Sequence, residues 1–384
     1  MRFVHIGDSH LGLSQFSRLD EDGGNLRERL VYDHFLAAID AILRLRPDAL
    51  VHAGDLFQSV RPRTRAYITA LEAITRLGDA GIPLVVIAGN HDMRRSRYTP
   101  SPFEILGYHH APFHAAYGSG YQHVDLGDTR FHLIPNLLQP DQYREEFDRI
   151  EPAKDRRNVL VTHGLASTLR DRRLGTVMEH EIDTTMLSPA FDYIALGHFH
   201  GQAQVADNAW YCGSQEYISY AEAGDTKGGL LVDLEEGSVV HLDLPCSHLK
   251  DLGELDCTSL TSREIGEEIA HRAQAAGEPG EPAMAIITLA GAERRTLQAM
   301  DPALLQEARD RFLDLKIAAR STPQGAPLAG GRRDLAGVDY GELFGEYLKD
   351  RGLDEARHRF VLSKGREVIR KVMAGEGGGG DAAP

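Results

Sequence analysis

Seven residues in the first two hundred positions, Asp8, His10, Asp55, Asn90, His163, His198 and His200, stand in five short motifs. These are GDSHLG from Gly7, GDLF from Gly54, GNHD from Gly89, THG from Thr162 and GHFH from Gly197. Each follows a short apolar run, and all but THG open with glycine. A chain that repeats strand, glycine and polar ligand in this way is constrained to set its strands side by side, so that distant side chains meet at one edge of a sheet. Buried structural histidines and helix-capping aspartates are the competing account, and they give no reason for five motifs in this order.

The residue types point to metal. Carboxylate, amide oxygen and imidazole suit Mn, Fe or Zn rather than a thiolate-loving ion. We assign Asp8, His10 and His200 to one ion, Asn90, His163 and His198 to a second, and Asp55 to a bridge between them. Two such ions are suited to in-line attack on phosphorus, with a hydroxide held between them as nucleophile. His91 follows Asn90 directly, and neighbours in a turn point in different directions. It is therefore expected to be a general acid and not a ligand, with Asp92 orienting its imidazole. His5 and His52 lie inside strands and read as buried core histidines.

With 384 residues, two or three domains are expected. No apolar stretch reaches membrane-spanning length. The opening MRFVHIGD runs straight into a ligand motif, so it is not expected to be a removable signal. Cys212, Cys246 and Cys257 have no paired spacing, which argues against a disulfide framework or a structural zinc site. A soluble cytoplasmic enzyme without membrane contact is expected. The net charge of −15 opposes binding of a polyanion as a whole, so any nucleic-acid contact has to be local. Arginine outnumbers lysine 35 to 7, and three clusters follow ligand motifs: Arg61, Arg63 and Arg65; Arg94, Arg95 and Arg97 with Tyr98; and Arg170, Arg172 and Arg173. The planar guanidinium suits phosphate, and Arg94, Arg95, Arg97 and Tyr98, nearest to His91, are the candidates for contacting the phosphate backbone of a substrate beyond the site. The alternative is that these are solvated loop charges.

Patterning predicts strands over residues 2–7, 49–53, 83–88, 131–135, 158–162, 193–196, 228–233 and 239–244. Helices are predicted over 26–46 and 63–78, with a short one over 101–108. The first helix is expected to bury Leu26, Leu30, His34, Ala37, Ala38 and Ala41. Strand and helix alternate with functional loops after strands, the pattern of an open α/β sheet or sandwich. The first domain is expected to close at residue 245. Residues 246–320 read as a separate small domain: a strand over 246–255, a capping box of Thr261 and Glu264 into a helix over 263–274, a strand over 284–289, a helix from Asp301-Pro302 to Phe312, and a strand over 313–318. The GSQEY stretch from Gly213 reads as a loop near the mouth of the site, without chemistry. Residues 321–337 form a linker rich in Pro, Gly and Ala. Residues 338–374 hold two amphipathic helices, with Leu343, Phe344, Tyr347 and Leu348 on one and Val368, Ile369, Val372 and Met373 on the other. Residues 375–384 form a low-complexity tail.

The five motifs resemble those of the calcineurin-like metallophosphoesterases, at every metal position. GDSHLG at the N-terminus and GDLF at Gly54 resemble the SbcD-type nucleases, the meiotic-recombination-eleven group of double-strand-break repair. The protein phosphatase branch continues its GD motif differently and writes GNHE. The resemblance implies a β-sandwich flanked by helices, two Mn²⁺ ions, and a nuclease acting as 3′–5′ exonuclease on duplex ends and as endonuclease on single strands. It implies that 246–320 is a cap shaping a DNA cleft. It further implies that the C-terminal helical pair grips an SMC-like coiled-coil ATPase of the SbcC type, the alternative being that it folds back on the cap. A homodimer through Pro102, Phe103, Ile105 and Leu106 with the helix over 63–78 is expected too. Many archaeal relatives carry His after GDLF where this chain has Gln58, which bears on the exonuclease activity. The second functional reading is a phosphodiesterase of small substrates such as cyclic nucleotides, and a third is a non-cutting scaffold for DNA ends.

Overall fold

The computed structural model describes residues 1–94, 96, 98–118, 120–137, 139–167, 169, 181–278, 282–320, 344 and 355–373. Residues 1–322 form one compact unit and 323–384 a second.

The chain starts as alternating strand and helix: β1 (Arg2–Ile6), α1 (Leu26–Leu45), β2 (Ala49–His52), α2 (Thr64–Asp79), β3 (Leu84–Ile87), α3 (Pro102–Leu106) and β4 (Phe113–Ala116). It continues through β5 (Gln122–Leu126), β6 (Thr129–Ile134), α4 (Pro140–Phe147) and β7 (Arg157–His163). A two-stranded ribbon follows, β8 (Leu165–Ala166) with β9 (Glu181–Ile182), then β10 (Tyr193–Gly197), β11 (Ala203–Ala206), β12 (Ala209–Tyr211), β13 (Gly229–Asp233) and β14 (Ser238–Leu242). One six-stranded sheet runs β14-β13-β1-β2-β3-β4 and the other β11-β12-β10-β7-β6-β5. In both, the strands that lead into ligand motifs are mutually parallel.

The two sheets stack as a sandwich. Phe3, Val51, Val85 and Ile87 of the first sheet share a core with Phe131, Val159, Val161 and Tyr193 of the second. Phe3 meets Phe131 and Tyr193 edge-on, at centroid distances of 5.7 and 5.6 Å. Burying side chains of this size stabilises by roughly 2 kcal/mol each. The opposite faces are covered too, Val4, Ile6, Leu50 and Val86 by α1 and α2, and Ile134, Leu160 and Ile194 by a third cluster containing Tyr143. Central strands buried on both faces explain the continuous apolar runs in the sequence.

Several expectations are corrected. α1 buries Val31, Tyr32, Phe35, Ala38, Ile39 and Ile42, a larger apolar stripe than the one through Leu26, Leu30, His34, Ala37 and Ala41. Only Ala38 belongs to both. Of Pro102, Phe103, Ile105 and Leu106, three are buried, because α3 packs into the α1–α2 core. The exposed apolar side chains there are Ile105, Ile68 and Tyr108. The short strands β4, β5, β11 and β12 and helix α4 carry too little periodicity to be predicted.

A third sheet, β15 (Leu249–Asp256), β16 (Met284–Ala290) and β17 (Asp314–Arg320), is parallel throughout. It carries α5 (Ser262–Ala276) and α7 (Pro302–Arg309), with the short α6 (Arg294–Gln298) between them, on a core of its own that includes Ile265, Ile269, Ile287 and Phe312. The Thr261–Glu264 capping box and the Asp301 cap ahead of Pro302 are both present. β15 starts at Leu249 and not at Cys246, because the Ser247 backbone N–H is taken by Glu216.

In the second unit, Glu355–Met373 is helical. Leu343, Tyr347 and Leu348, the linker 321–337 and the tail 375–384 lie outside the described residues, as do Arg95, Arg97, Arg170, Arg172 and Arg173. Among the described residues no helix is long and apolar enough to cross a membrane.

Candidate metal centre

Both sheets deliver ligands to one place. Asp8 and His10 follow β1, Asp55 follows β2 and Asn90 follows β3, while His163 ends β7 and His198 and His200 follow β10. The turns interlock through the backbone: Asp8 N–H donates to the Gly54 carbonyl (2.9 Å) and His10 N–H to the Asp55 carbonyl (3.0 Å). Six non-glycine residues among those described have positive φ, and four of them are Asp8 (50°), His10 (47°), Asp55 (53°) and His198 (98°). A left-handed backbone costs a residue with a Cβ about 1–3 kcal/mol. Four such positions on one site mean that the sheets hold the turns where the ligands must point.

Two motif glycines are required by space. Gly54 has φ +99°, and a Cβ there would lie 2.3 Å from His163 Nδ1. A Cβ on Gly197 would lie 2.0 Å from the Ala53 carbonyl oxygen and 2.8 Å from His163 Nδ1. Without side chains at these positions, His163 Nδ1 donates to the Ala53 carbonyl at 2.8 Å. In the neutral ring this leaves Nε2 as a lone pair. Nε2 faces Asn90 Oδ1 at 3.0 Å and lies 3.6 Å from Asp55 Oδ2. His198 Nδ1 is 2.9 Å from the same Asn90 oxygen. Across the site, His10 Nε2 lies 3.3 Å from His200 Nε2 and 3.8 Å from Asp55 Oδ2. Asp8 accepts the His198 N–H on both carboxylate oxygens at 3.1 Å.

The electrostatics of these atoms call for positive charge. Burial, and then the charge of Asp55, push the Asp8 carboxyl well above its usual range, and burial raises Asp55. Burial, with His200 next, drives the His10 imidazole well below its usual range. Carboxyls and imidazoles crowded together and penalised by the same burial are relieved by bound cations. Ligand atoms of Asp8, His10 and His200 lie within 4.8 Å of one another, as do those of Asp8, Asp55 and His163, and those of His10, Asp55 and His91. The donor set fits two divalent ions.

His91 donates its backbone N–H to Asp55 Oδ1 at 2.8 Å and pairs through Nδ1 with the Gln58 main-chain carbonyl at 3.1 Å. Asp92 does not orient it, contrary to expectation. The Asp92 carboxylate is buried and accepts the backbone N–H groups of Gly89 (2.7 Å) and Phe57 (3.0 Å), binding two ligand turns together. Because the contact to His91 comes from the backbone of Gln58, it does not depend on the side chain at that position. His5 and His52 are buried and pair with the Tyr193 hydroxyl (2.9 Å) and Ser9 Oγ (2.8 Å).

The site opens into a pocket of about 280 Å³ whose lining includes Asp55, Asn90, His91, His198, His200 and Glu222. Arg94 and Tyr98 are exposed and do not line it.

Sequence reasoning missed a set of supporting residues. Glu222 Oε1 accepts His200 Nδ1 at 3.0 Å. Lys227 Nζ donates to Glu222 Oε2 at 2.6 Å and to the His200 carbonyl at 3.0 Å. Burial alone would raise the Glu222 carboxyl, but His200 and Lys227 hold it at about 2. Tyr143 donates its hydroxyl to the His163 carbonyl at 2.6 Å. The GSQEY stretch is also more than a loop at the mouth. Glu216 is buried against the equally buried Arg27, 2.7 Å away, with His34 Nδ1 at 2.6 Å. Glu222, Lys227 and Tyr143 belong to no periodic or spaced pattern, so no local signal marked them, and nothing local pairs Glu216 with Arg27 and His34.

A family model described as calcineurin-like phosphoesterase matches residues 1–202. The chain is similar to the DNA double-strand break repair protein Mre11 of Methanococcus maripaludis, 30% identical over 264 residues, 64% of this chain and 68% of that protein. It is 29% identical over 275 residues to the protein of that description from Methanocaldococcus jannaschii, 67% of this chain and 70% of that one. The counterpart from Haloferax volcanii is 34% identical over 247 residues, 62% of this chain and 50% of that one.

Proposed function

The chain belongs to the calcineurin-like phosphoesterases and, within them, to the Mre11 group, and from that premise we propose that it is the Mn²⁺-dependent nuclease subunit of a DNA double-strand-break repair complex. The observation that carries this reading is the meeting of Asp8, His10, Asp55, Asn90, His163, His198 and His200 at the strand ends of both sheets.

Asp8, His10 and His200 would hold one ion and Asn90, His163 and His198 the other, with the Asp55 carboxylate shared between them. Divalent ions bound there would supply an activated water and neutralise charge developing on phosphoryl oxygens. The protein does the rest. The Ala53 carbonyl and Glu222 fix the tautomers of His163 and His200, so that each presents Nε2 to the site. His91, held at Nδ1 by the Gln58 carbonyl, presents its other nitrogen to the leaving oxygen as general acid.

The substrates are duplex ends, degraded 3′ to 5′, and single strands, cut internally. Arg94, Arg95, Arg97 and Tyr98 contact DNA beyond the site, and residues 246–320 guide it. The C-terminal segment 338–374 grips an SMC-like coiled-coil ATPase of the SbcC type. The exposed Ile68, Ile105 and Tyr108 of the α2–α3 surface support a homodimer there. The protein acts in the cytoplasm.

The experiment is hydrolysis by the purified chain with Mn²⁺ of linear duplex, single-stranded circular DNA and a small chromogenic phosphodiester, with His91→Ala as control. Cutting of both DNAs that is lost in the control is the expected result. Turnover of the small ester alone would replace the nuclease reading with a small-substrate phosphodiesterase.

A further inference from the structure

Between the metal centre and the three-stranded sheet lies a single 3₁₀ turn, Tyr220–Glu222. Its two ends reach in opposite directions. At one end, Glu222 accepts His200 Nδ1 on Oε1 (3.0 Å) and, on Oε2, the Lys227 ammonium (2.6 Å) and the Ile218 N–H (3.0 Å). Lys227 is buried and also donates to the His200 carbonyl and to Ser214 Oγ (2.9 Å). One carboxylate–ammonium pair thus grips His200 by its ring and by its main chain.

At the other end, the Tyr220 hydroxyl donates to Asp314 Oδ2 at 2.5 Å, and Lys316 Nζ lies 5.3 Å from the centre of the Tyr220 ring. Asp314 and Lys316 both belong to β17. A second tie sits close by, where Arg18 donates to the Asp310 carbonyl at 2.7 Å. The turn is short and hydrogen-bonded at both ends, so a shift of β17 at Tyr220 is passed on to the carboxylate that orients His200.

We propose that Tyr220 and Glu222 are positioning residues through which the three-stranded sheet sets the geometry of His200, so that the sheet's placement governs the affinity of the ion His200 holds. The inference rests on the metal reading above. It makes residues 246–320 more than a wall of the cleft, because whatever displaces that sheet, nucleic acid included, alters the ligand through this turn.

The test is calorimetric titration of the full chain with Mn²⁺, alongside paramagnetic resonance of the bound ions. Wild type is compared with Glu222→Gln, Tyr220→Phe and Asp314→Asn. Glu222→Gln is expected to weaken one of the two sites roughly 10–100-fold, as losing the partner of a ligating histidine does. Tyr220→Phe and Asp314→Asn, which remove the tie between the turn and β17 and not the Glu222–His200 contact, are expected to weaken the same site about fivefold and to leave the other unchanged. A generally loosened fold would move both sites and the melting temperature together, and that result would overturn the inference. So would wild-type affinity at both sites in Tyr220→Phe and Asp314→Asn. Wild-type protein that takes up no Mn²⁺ would overturn the metal reading and the inference with it, which separates the two failures.

Discussion

His163 Nε2 and Asn90 Oδ1 face each other at 3.0 Å, and no proton lies between them in the neutral ring, because the Ala53 carbonyl takes the Nδ1–H. Two lone pairs at that distance repel, and the arrangement is unfavourable unless a cation sits where both point. Mn²⁺ is therefore expected to stabilise the fold by about 2.7 kcal/mol at a hundredfold excess over its Kd, read as a rise in melting temperature that EDTA reverses. Asn90→Ala is expected to shrink that rise. A melting temperature indifferent to every divalent ion tested would refute the metal centre.

His91 separates chemistry from binding. Removing a general acid costs about 10²–10⁴ in rate, so His91→Ala is expected to lose DNA hydrolysis by that factor with both ions still bound. Metal content by mass spectrometry under native conditions is the check. The result is open to decision because His91 shares a ligand-sized cluster with His10 and Asp55. Loss of one ion in the variant would make His91 a ligand.

Gly197→Ala tests why the motif opens as it does. The new Cβ would fall 2.0 Å from the Ala53 carbonyl oxygen and 2.8 Å from His163 Nδ1, between the acceptor and the ring it fixes. Neither neighbour can yield, since both strands are buried in the sandwich. The expected outcome is destabilisation of about 1–3 kcal/mol together with loss of metal affinity, measured by denaturant unfolding and by Mn²⁺ titration. A stable variant with wild-type affinity would mean that the Ala53–His163 hydrogen bond does not organise the site.

These glycines also show how far the sequence could be read. The strand–glycine–ligand units were visible because they are local: an apolar run, a residue free of Cβ and a polar side chain follow one another within ten positions. The residues that brace the ligands were invisible for the opposite reason. Glu222 reaches His200 from 22 positions away, and Arg27 meets Glu216 across 189. A lone Glu or Arg in a stretch without period looks the same whether solvated or buried. α1 failed differently. Its apolar residues are dense enough to offer two overlapping stripes, and only packing against β1 and β2 selects the one through Val31, Phe35 and Ile39.

The stability of the protein toward acid follows from His5 and His52. Burial holds each at about 3, against an ordinary value of 6.5. The folded values lie below the unfolded ones, so between pH 6.5 and 3 the unfolded chain binds more protons and stability rises with pH. Their contribution is complete above pH 6.5 and is lost as the pH falls toward 3, by about 2 kcal/mol for each histidine at about pH 5. Asp8, Asp55 and Asp92 have raised values, which tilt stability the other way in metal-free protein, so wild type alone cannot isolate the histidines. His5→Gln keeps a polar partner for the Tyr193 hydroxyl and leaves the carboxyls in place. In EDTA, its loss of unfolding free energy between about pH 7 and about pH 5 is expected to be smaller than that of wild type by roughly 2 kcal/mol. Parallel profiles for the two proteins would show that His5 is protonated as readily in the folded state as in the unfolded chain.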